Sequence, residues 1–507
     1  MWEQITMKRP DSRLALWVVA ACSVVGLTAS SDASLIDAVK QGNRDAVRTW
    51  LARRTDINAR EADGTTALHW AVRGDDRETV ALLVGAGANV NAANRYGITP
   101  LWLAASNGNA AVIETLIKAG ADGRAALPSG ETALLVATRS GRADAVPVLV
   151  ELGADVEAKE TVYGQTPLMV AAAENHSEVC KLLIQAGANL NARTTVFEPQ
   201  RLFLSQSFRG GFTALLYAAR QGSLEAARVL LASHADLNER EPEGMTPLLL
   251  ALFNGHYDFA AMLIESGADV DLGDEAGRTP LYQVLDMRRL EFIAGRPAPK
   301  WTDKLDALDV ARLLLDYGAD PNAQLTQTQP ARKSASPSDA WLVAGTTPFL
   351  KAAKNADVPL MRILLDYGAD PHAEAPRVQA SALMFAAGVG WRELSSIAPE
   401  KEALESVKML WGLGGFDVNA ATSNTGQTAL HGAASRGAAS IIQFLVDHGA
   451  KLNEKDKNGR TPLDEAGPIE EGAGGGNNTH PVRPEAQTLL RKLMGVSGVA
   501  ATRSAVQ

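Results

Sequence analysis

Eight histidines and two cysteines are the residues of this 507-residue chain best suited to metal ligation or to nucleophilic and acid–base work. Their spacing withholds that chemistry. There is no His-Glu-x-x-His or Cys-x-x-Cys, so no two ligands share a helix face or a tight turn in the pattern of a metal site. Serine, aspartate and histidine all occur, yet no Gly-x-Ser-x-Gly elbow exposes a nucleophile, and no Gly-x-x-x-x-Gly-Lys-Ser/Thr loop could cradle a phosphate. The run Gly474, Gly475, Gly476 stands beside Asn477, Asn478 and Pro481 with no strand before it, which suits a flexible linker. Cys180 sits among Val179, Leu182 and Leu183 and reads as a small buried apolar residue. No catalytic, cofactor-binding or metal-binding residue is expected.

The elements that would have to position such residues are of one kind, repeated. Eleven times a Thr or Ser, then Pro or Ala, then Leu or Phe opens a helical stretch: at Thr66, Thr99, Thr132, Thr166, Thr213, Thr246, Thr279, Thr347, Ser381, Thr428 and Thr461. Most openings lie 33 or 34 residues apart, a period that means stacked supersecondary units. The best-formed unit runs from Asn94 to Ala126. In it Gly97 serves a turn, Thr99 caps a helix begun by Pro100, and Leu101, Ala104 and Ala105 form an apolar stripe. After Asn107 and Gly108, residues Val112, Ile113, Leu116 and Ile117 recur at helical spacing, and Gly120 ends that second helix. A second signature recurs about 20 residues after most openings, as in Ala86-Gly87-Ala88-Asn89, Ala119-Gly120-Ala121-Asp122 and Tyr317-Gly318-Ala319-Asp320.

Together these signatures resemble the ankyrin repeat family from Ser34 to about Met494, with about twelve repeats. The resemblance implies an all-α, ankyrin-type solenoid of stacked helix-turn-helix repeats joined by β-hairpin loops. It also implies that His69 and His431, each directly after Thr-Ala-Leu, hydrogen-bond within the hairpin and helix framework. Insertions break the period near 194–209, 286–304, 324–344, 391–403 and 467–484. The first carries Phe197, Phe203 and Phe208 beside Arg201 and Arg209 and is a candidate binding loop. The fourth lengthens the link between the two helices of its repeat, or only extends the first of them. Pro147, inside a second helix, should bend or shorten it.

Residues 1–33 read as a signal peptide: Lys8, Arg9 and Arg13, then an apolar run from Leu14 to Leu27, then small residues to Ala33. Cleavage there places the mature start at Ser34, in the periplasm or outside a bacterial cell. Retention as an anchor and lipidation at Cys22 are the alternatives. Residues 495–507 read as a flexible tail. The net charge of −9 argues against a nucleic-acid backbone as main partner.

With side chains committed to stacking, recognition should fall to the hairpin tips and the inner face of the first helices, a concave groove by the ankyrin resemblance. The candidate partner-binding residues are Arg95, Tyr96, Asn107, Arg139, Tyr163, Glu174, Arg209, Phe212, Arg220, Gln221 and Phe253, rich in the arginine and aromatics that dominate hot spots. The expected function is a non-catalytic, monomeric scaffold binding another protein. A secreted effector or inhibitor of a host or competitor protein is the alternative. An enzyme or small-molecule site hidden in an insertion is the third reading.

Overall fold

The computed structural model describes residues 34–53, 55–196, 210–288, 303–327, 341, 343–391, 398–467 and 483–495. The segment 1–33, Arg209, the aromatic residues of the first insertion, Trp301 and the Gly474 run lie outside them. Among the described residues there are 24 α-helices, and extended pairing is confined to isolated bridges such as Arg60 with Thr66 and Ala126 with Thr132. The described residues fall into two compact units, 34–196 with 210–236 and 237–495.

In the first unit the openings do what their chemistry dictates. Thr99 is extended, accepts from the Trp102 amide, and starts helix Pro100–Asn107 on a proline that has no amide proton to satisfy. Gly108 ends that helix in the left-handed region at φ +80°. Ala104 and Ala105 are completely buried, and so are Ile113 and Leu116 of the following helix, Ala110–Lys118. Neighbouring repeats are stitched as well as packed. The buried ring of His69 holds the Thr66 hydroxyl at 2.8 Å through Nδ1, and its Nε2 donates to the Ile98 carbonyl at 3.0 Å in the next hairpin. Burial lowers the pKa of His69, which keeps the ring neutral for this double contact. His431 repeats the arrangement with Thr428 and the Arg460 carbonyl.

Pro147 shortens its helix as its missing donor requires. The helix runs Ala145–Glu151, seven residues, where the neighbouring second helices Ala110–Lys118 and Ser177–Gln185 have nine.

A second set of stitches runs along the Gly-Ala-Asp turns. Asn91 accepts from the Asp122 amide and donates from Nδ2 to the Gly120 carbonyl; in the second unit Asn322 does the same with Asp370 and Gly368, and Asn419 with Lys451 and Gly449. Asp271 occupies this place one repeat before Asn322. It accepts from the Asp320 amide at 2.9 Å but has nothing to donate to Gly318. The residue is exposed overall, yet enclosure of its carboxyl, followed by the charges of Asp320 and Asp269, raises its pKa. A carboxyl with a raised folded pKa costs stability as pH rises through that value, and the cost vanishes below the unfolded value. Asp271→Asn should therefore stabilise the chain at neutral pH by about 0.5–1.5 kcal/mol, one net hydrogen bond. Urea midpoints at pH 7 and pH 4 check this, with the gain shrinking at pH 4. An unchanged or lower midpoint at pH 7 would defeat it.

The second unit buries its first helices more thoroughly. Every residue of Pro280–Met287 and of Pro348–Lys354 is buried. Gln283 and Lys351 stand four residues after their capping threonines, and Asp286 seven after, the places held in the first unit by Trp70 and Arg73. They form an internal polar network: Lys351 Nζ lies 3.1 Å from Asp286, Arg278 Nη1 lies 3.0 Å from Gln283 and 3.6 Å from Asp286, and Arg278 Nε lies 3.8 Å from Asp274. Arg278 is fully buried.

The fourth insertion does not extend a first helix. Helix Ala382–Ala387 stops at Gly388, whose φ of +122° and close approach to Gly432 leave no room for another turn. The second helix is the one lengthened, to fourteen residues, Glu400–Leu413. At the far end Pro484–Leu493 packs on Ala439–Asp447, with Ala486 and Leu490 buried.

Candidate functional site

The hairpin tips of the first unit lie side by side because their backbones bond directly. The Arg95 amide donates to Asp63 O, the Thr161 amide to Ser129 O and the Thr195 amide to Tyr163 O, at 2.8 to 2.9 Å. Pro128 carries no amide proton, and at that tip Leu127 and Pro128 pack against Gly97 instead. Apolar side chains project from this row. Tyr96 is 56% exposed, Val162 56%, Tyr163 42% and Val196 56%, four of the seven exposed large hydrophobics among the described residues. Tyr96 and Tyr163 are thus placed as expected from the sequence; Val162 and Val196 were not anticipated, although they flank the same turns.

Cations and rings are paired along the row. Arg95 stacks over Tyr96 at 4.7 Å and donates to its hydroxyl. On the first helices, Arg73 lies over Trp70 at 5.2 Å, and Lys40 of the preceding repeat approaches the same ring at 4.5 Å. Glu61 joins them, accepting from Trp70 Nε1 at 2.7 Å and pairing with Lys40. This Lys40, Trp70, Arg73 cluster was missed from sequence. The signal was there, since Arg73, Arg139 and Arg220 each stand seven residues after a capping threonine.

The other expected residues divide. Arg139 is exposed and reaches Glu131 at 3.2 Å, while Glu174 and Gln221 are exposed at the ends of their first helices. Asn107 is spent on the framework, its Nδ2 donating to the Val72 carbonyl of the preceding repeat at 2.7 Å. Phe212 presents no surface to a partner. It is only 2% exposed, tilted against Tyr217 with centroids 5.4 Å apart, and the half-buried Arg220 lies over it. Phe253 is half-buried and lies in the second unit, and Arg209 falls outside the described residues.

Cys180 is fully buried, and burial pushes its thiol up to about 12, so no thiolate forms near neutrality. Among the described residues no group of three or more His, Cys, Asp or Glu side chains is placed to hold a metal ion, and no helix is long and apolar enough to cross a membrane. A concavity of 740 Å³ opens where Pro147 shortens its helix, lined by Gly108, Asn109, Asp144, Glu178 and Arg77. It holds carboxylates, an amide and a guanidinium, with no histidine, serine or cysteine among its lining.

The family model described as Ankyrin repeats (3 copies) matches residues 35–126, 123–194, 200–274 and 394–467, more than half of the chain. Capped helix pairs, glycine-terminated turns and hairpins bonded tip to tip are the physical content of that match. The chain belongs to the ankyrin repeat family.

Proposed function

We propose that this protein is a non-catalytic scaffold that binds a partner protein through the hairpin row and adjoining first-helix flank of its first unit. Ankyrin repeats are generally protein–protein interaction modules, which supports the class of function. The observation that carries the location is the exposure of Tyr96, Val162, Tyr163 and Val196 on tips joined by backbone bonds or, at Pro128, by packing on Gly97. Rigid, exposed aromatics beside arginine are what binding hot spots are made of. The chain is proposed to act after export, with each of the twelve helix pairs as one repeat. Ser34 caps the first helix, and its own amide reaches Asp37 at 3.0 Å, so a new amino terminus there would meet a carboxylate partner.

The test is capture from the native envelope fraction by the chain beginning at Ser34. Tyr96→Ala with Tyr163→Ala, and separately Arg139→Glu, should each weaken capture at least tenfold, about 1.4 kcal/mol. Melting should shift by no more than about 0.5 kcal/mol, because these are surface positions. Unaltered capture by the doubly substituted tyrosine variant would place the site elsewhere.

A further inference from the structure

We infer that the partner segment recognised by the first unit is an acidic peptide with interspersed aromatic or aliphatic residues, which refines the scaffold reading above and rests on it. The charge of the whole chain, −9, points the opposite way, so the argument lies in how the local charges are used. Among the described residues, four carboxylates stand at the hairpin tips of the first unit and each is already engaged, while the exposed Glu174 lies at the end of a first helix. Glu61 serves Lys40 and Trp70, and Asp63 accepts from the Thr65 amide at 2.9 Å. Glu131 pairs with Arg139, and the buried Glu160 accepts the amides of Val162, Tyr163 and Gln165. The cations are not equally spent. Arg60, Arg73 and Arg95 are exposed and none forms an ion pair among the described residues; two of them lie on aromatic faces, at Trp70 and Tyr96.

A guanidinium lying on a ring keeps N–H donors on its edge for a carboxylate, and Arg95 gives only one of its own to the Tyr96 hydroxyl. The ring beside it offers an apolar surface to the next residue of the incoming chain. Stacking also removes side-chain freedom before binding, so less is lost when the carboxylate arrives. The exposed Arg139–Glu131 pair is held only weakly in water and can yield its arginine to a competing acid.

The probe is an array of twelve-residue peptides, each with two tyrosines and a net charge stepped from about −6 to about +6, a range that spans attraction and repulsion. The chain from Ser34 should bind increasingly as charge becomes negative, and the signal should fall at least tenfold between 50 mM and 500 mM salt, as screening shortens. Arg73→Glu with Arg95→Glu should abolish the preference, whereas Arg48→Glu, on an outer second helix, should leave it intact. A flat or inverted charge profile, or equal loss with Arg48→Glu, would overturn the inference. Stronger binding to a single-stranded oligonucleotide of equal charge would overturn it in favour of nucleic acid. The two readings fail separately. If native capture depends on Tyr96 and Tyr163 but the array shows no acidic preference, only the acidic peptide falls; if capture ignores those tyrosines, the site itself falls.

Discussion

Asp286→Ala is expected to lower stability by about 3–5 kcal/mol, the cost of leaving buried cations without their counter-charge. Asp286 lies between two of them, 3.1 Å from Lys351 and 3.6 Å from Arg278, and all three side chains are nearly sealed from water. Removing it strands Lys351, which has no other ion pair among the described residues, and leaves Arg278 to Asp274 at 3.8 Å and to Gln283. The effect should be specific to the broken balance. Asp286→Leu combined with Lys351→Met removes both charges and keeps the volume, and should recover most of the loss, since apolar replacement of a buried pair is commonly neutral or better. Urea denaturation of both variants checks this through their midpoints. Should the double variant fall as far as Asp286→Ala, the pair would be contributing net stability. Should Asp286→Ala change nothing, the network would be open to water.

That network also shows where reading the sequence reaches its limit. The helices were legible because each is specified locally: an oxygen at the cap, proline at the first position, a glycine where φ turns positive. Thr99, Pro100 and Gly108 suffice to place one helix without any knowledge of its neighbours. Pro147 was equally legible, because a missing donor acts on its own turn. The candidate site was legible only in part. Arg95, Tyr96 and Tyr163 follow from the hairpin frame, because a tip is exposed whatever stacks below it. Residues four and seven after the capping threonine do not follow so simply. The same frame positions carry the half-buried Trp70 and exposed Arg73 in one unit and the buried Gln283 and Asp286 in the other. What covers a position is a property of distant chain, and spacing holds no record of it. Phe212 is covered for that reason, and the amide of Asn107 is drawn to a carbonyl one repeat away.

Gly412 and Gly432 both stand within helices, yet their surroundings differ. Gly432 lies inside helix Ala429–Arg436 and Gly412 inside helix Glu400–Leu413. Helix propensity alone favours alanine over glycine at either site by about 1 kcal/mol. Packing separates them. A Cβ at Gly432 would stand 2.4 Å from the Val389 amide nitrogen and 2.7 Å from the Gly388 carbonyl carbon, both backbone atoms that cannot swing aside. A Cβ at Gly412 would meet nothing within 4 Å. Gly412→Ala is therefore expected to raise the urea midpoint. Gly432→Ala should lower it, by about 1–3 kcal/mol as an overpacked contact that pushes two neighbouring repeats apart. The tightness of that contact also accounts for Gly388, whose φ of +122° carries the chain out of helix Ala382–Ala387 just where the next repeat presses closest. If both alanines stabilise, the repeats at this point must be free to separate without cost, and close stacking would not be what ends the first helix there.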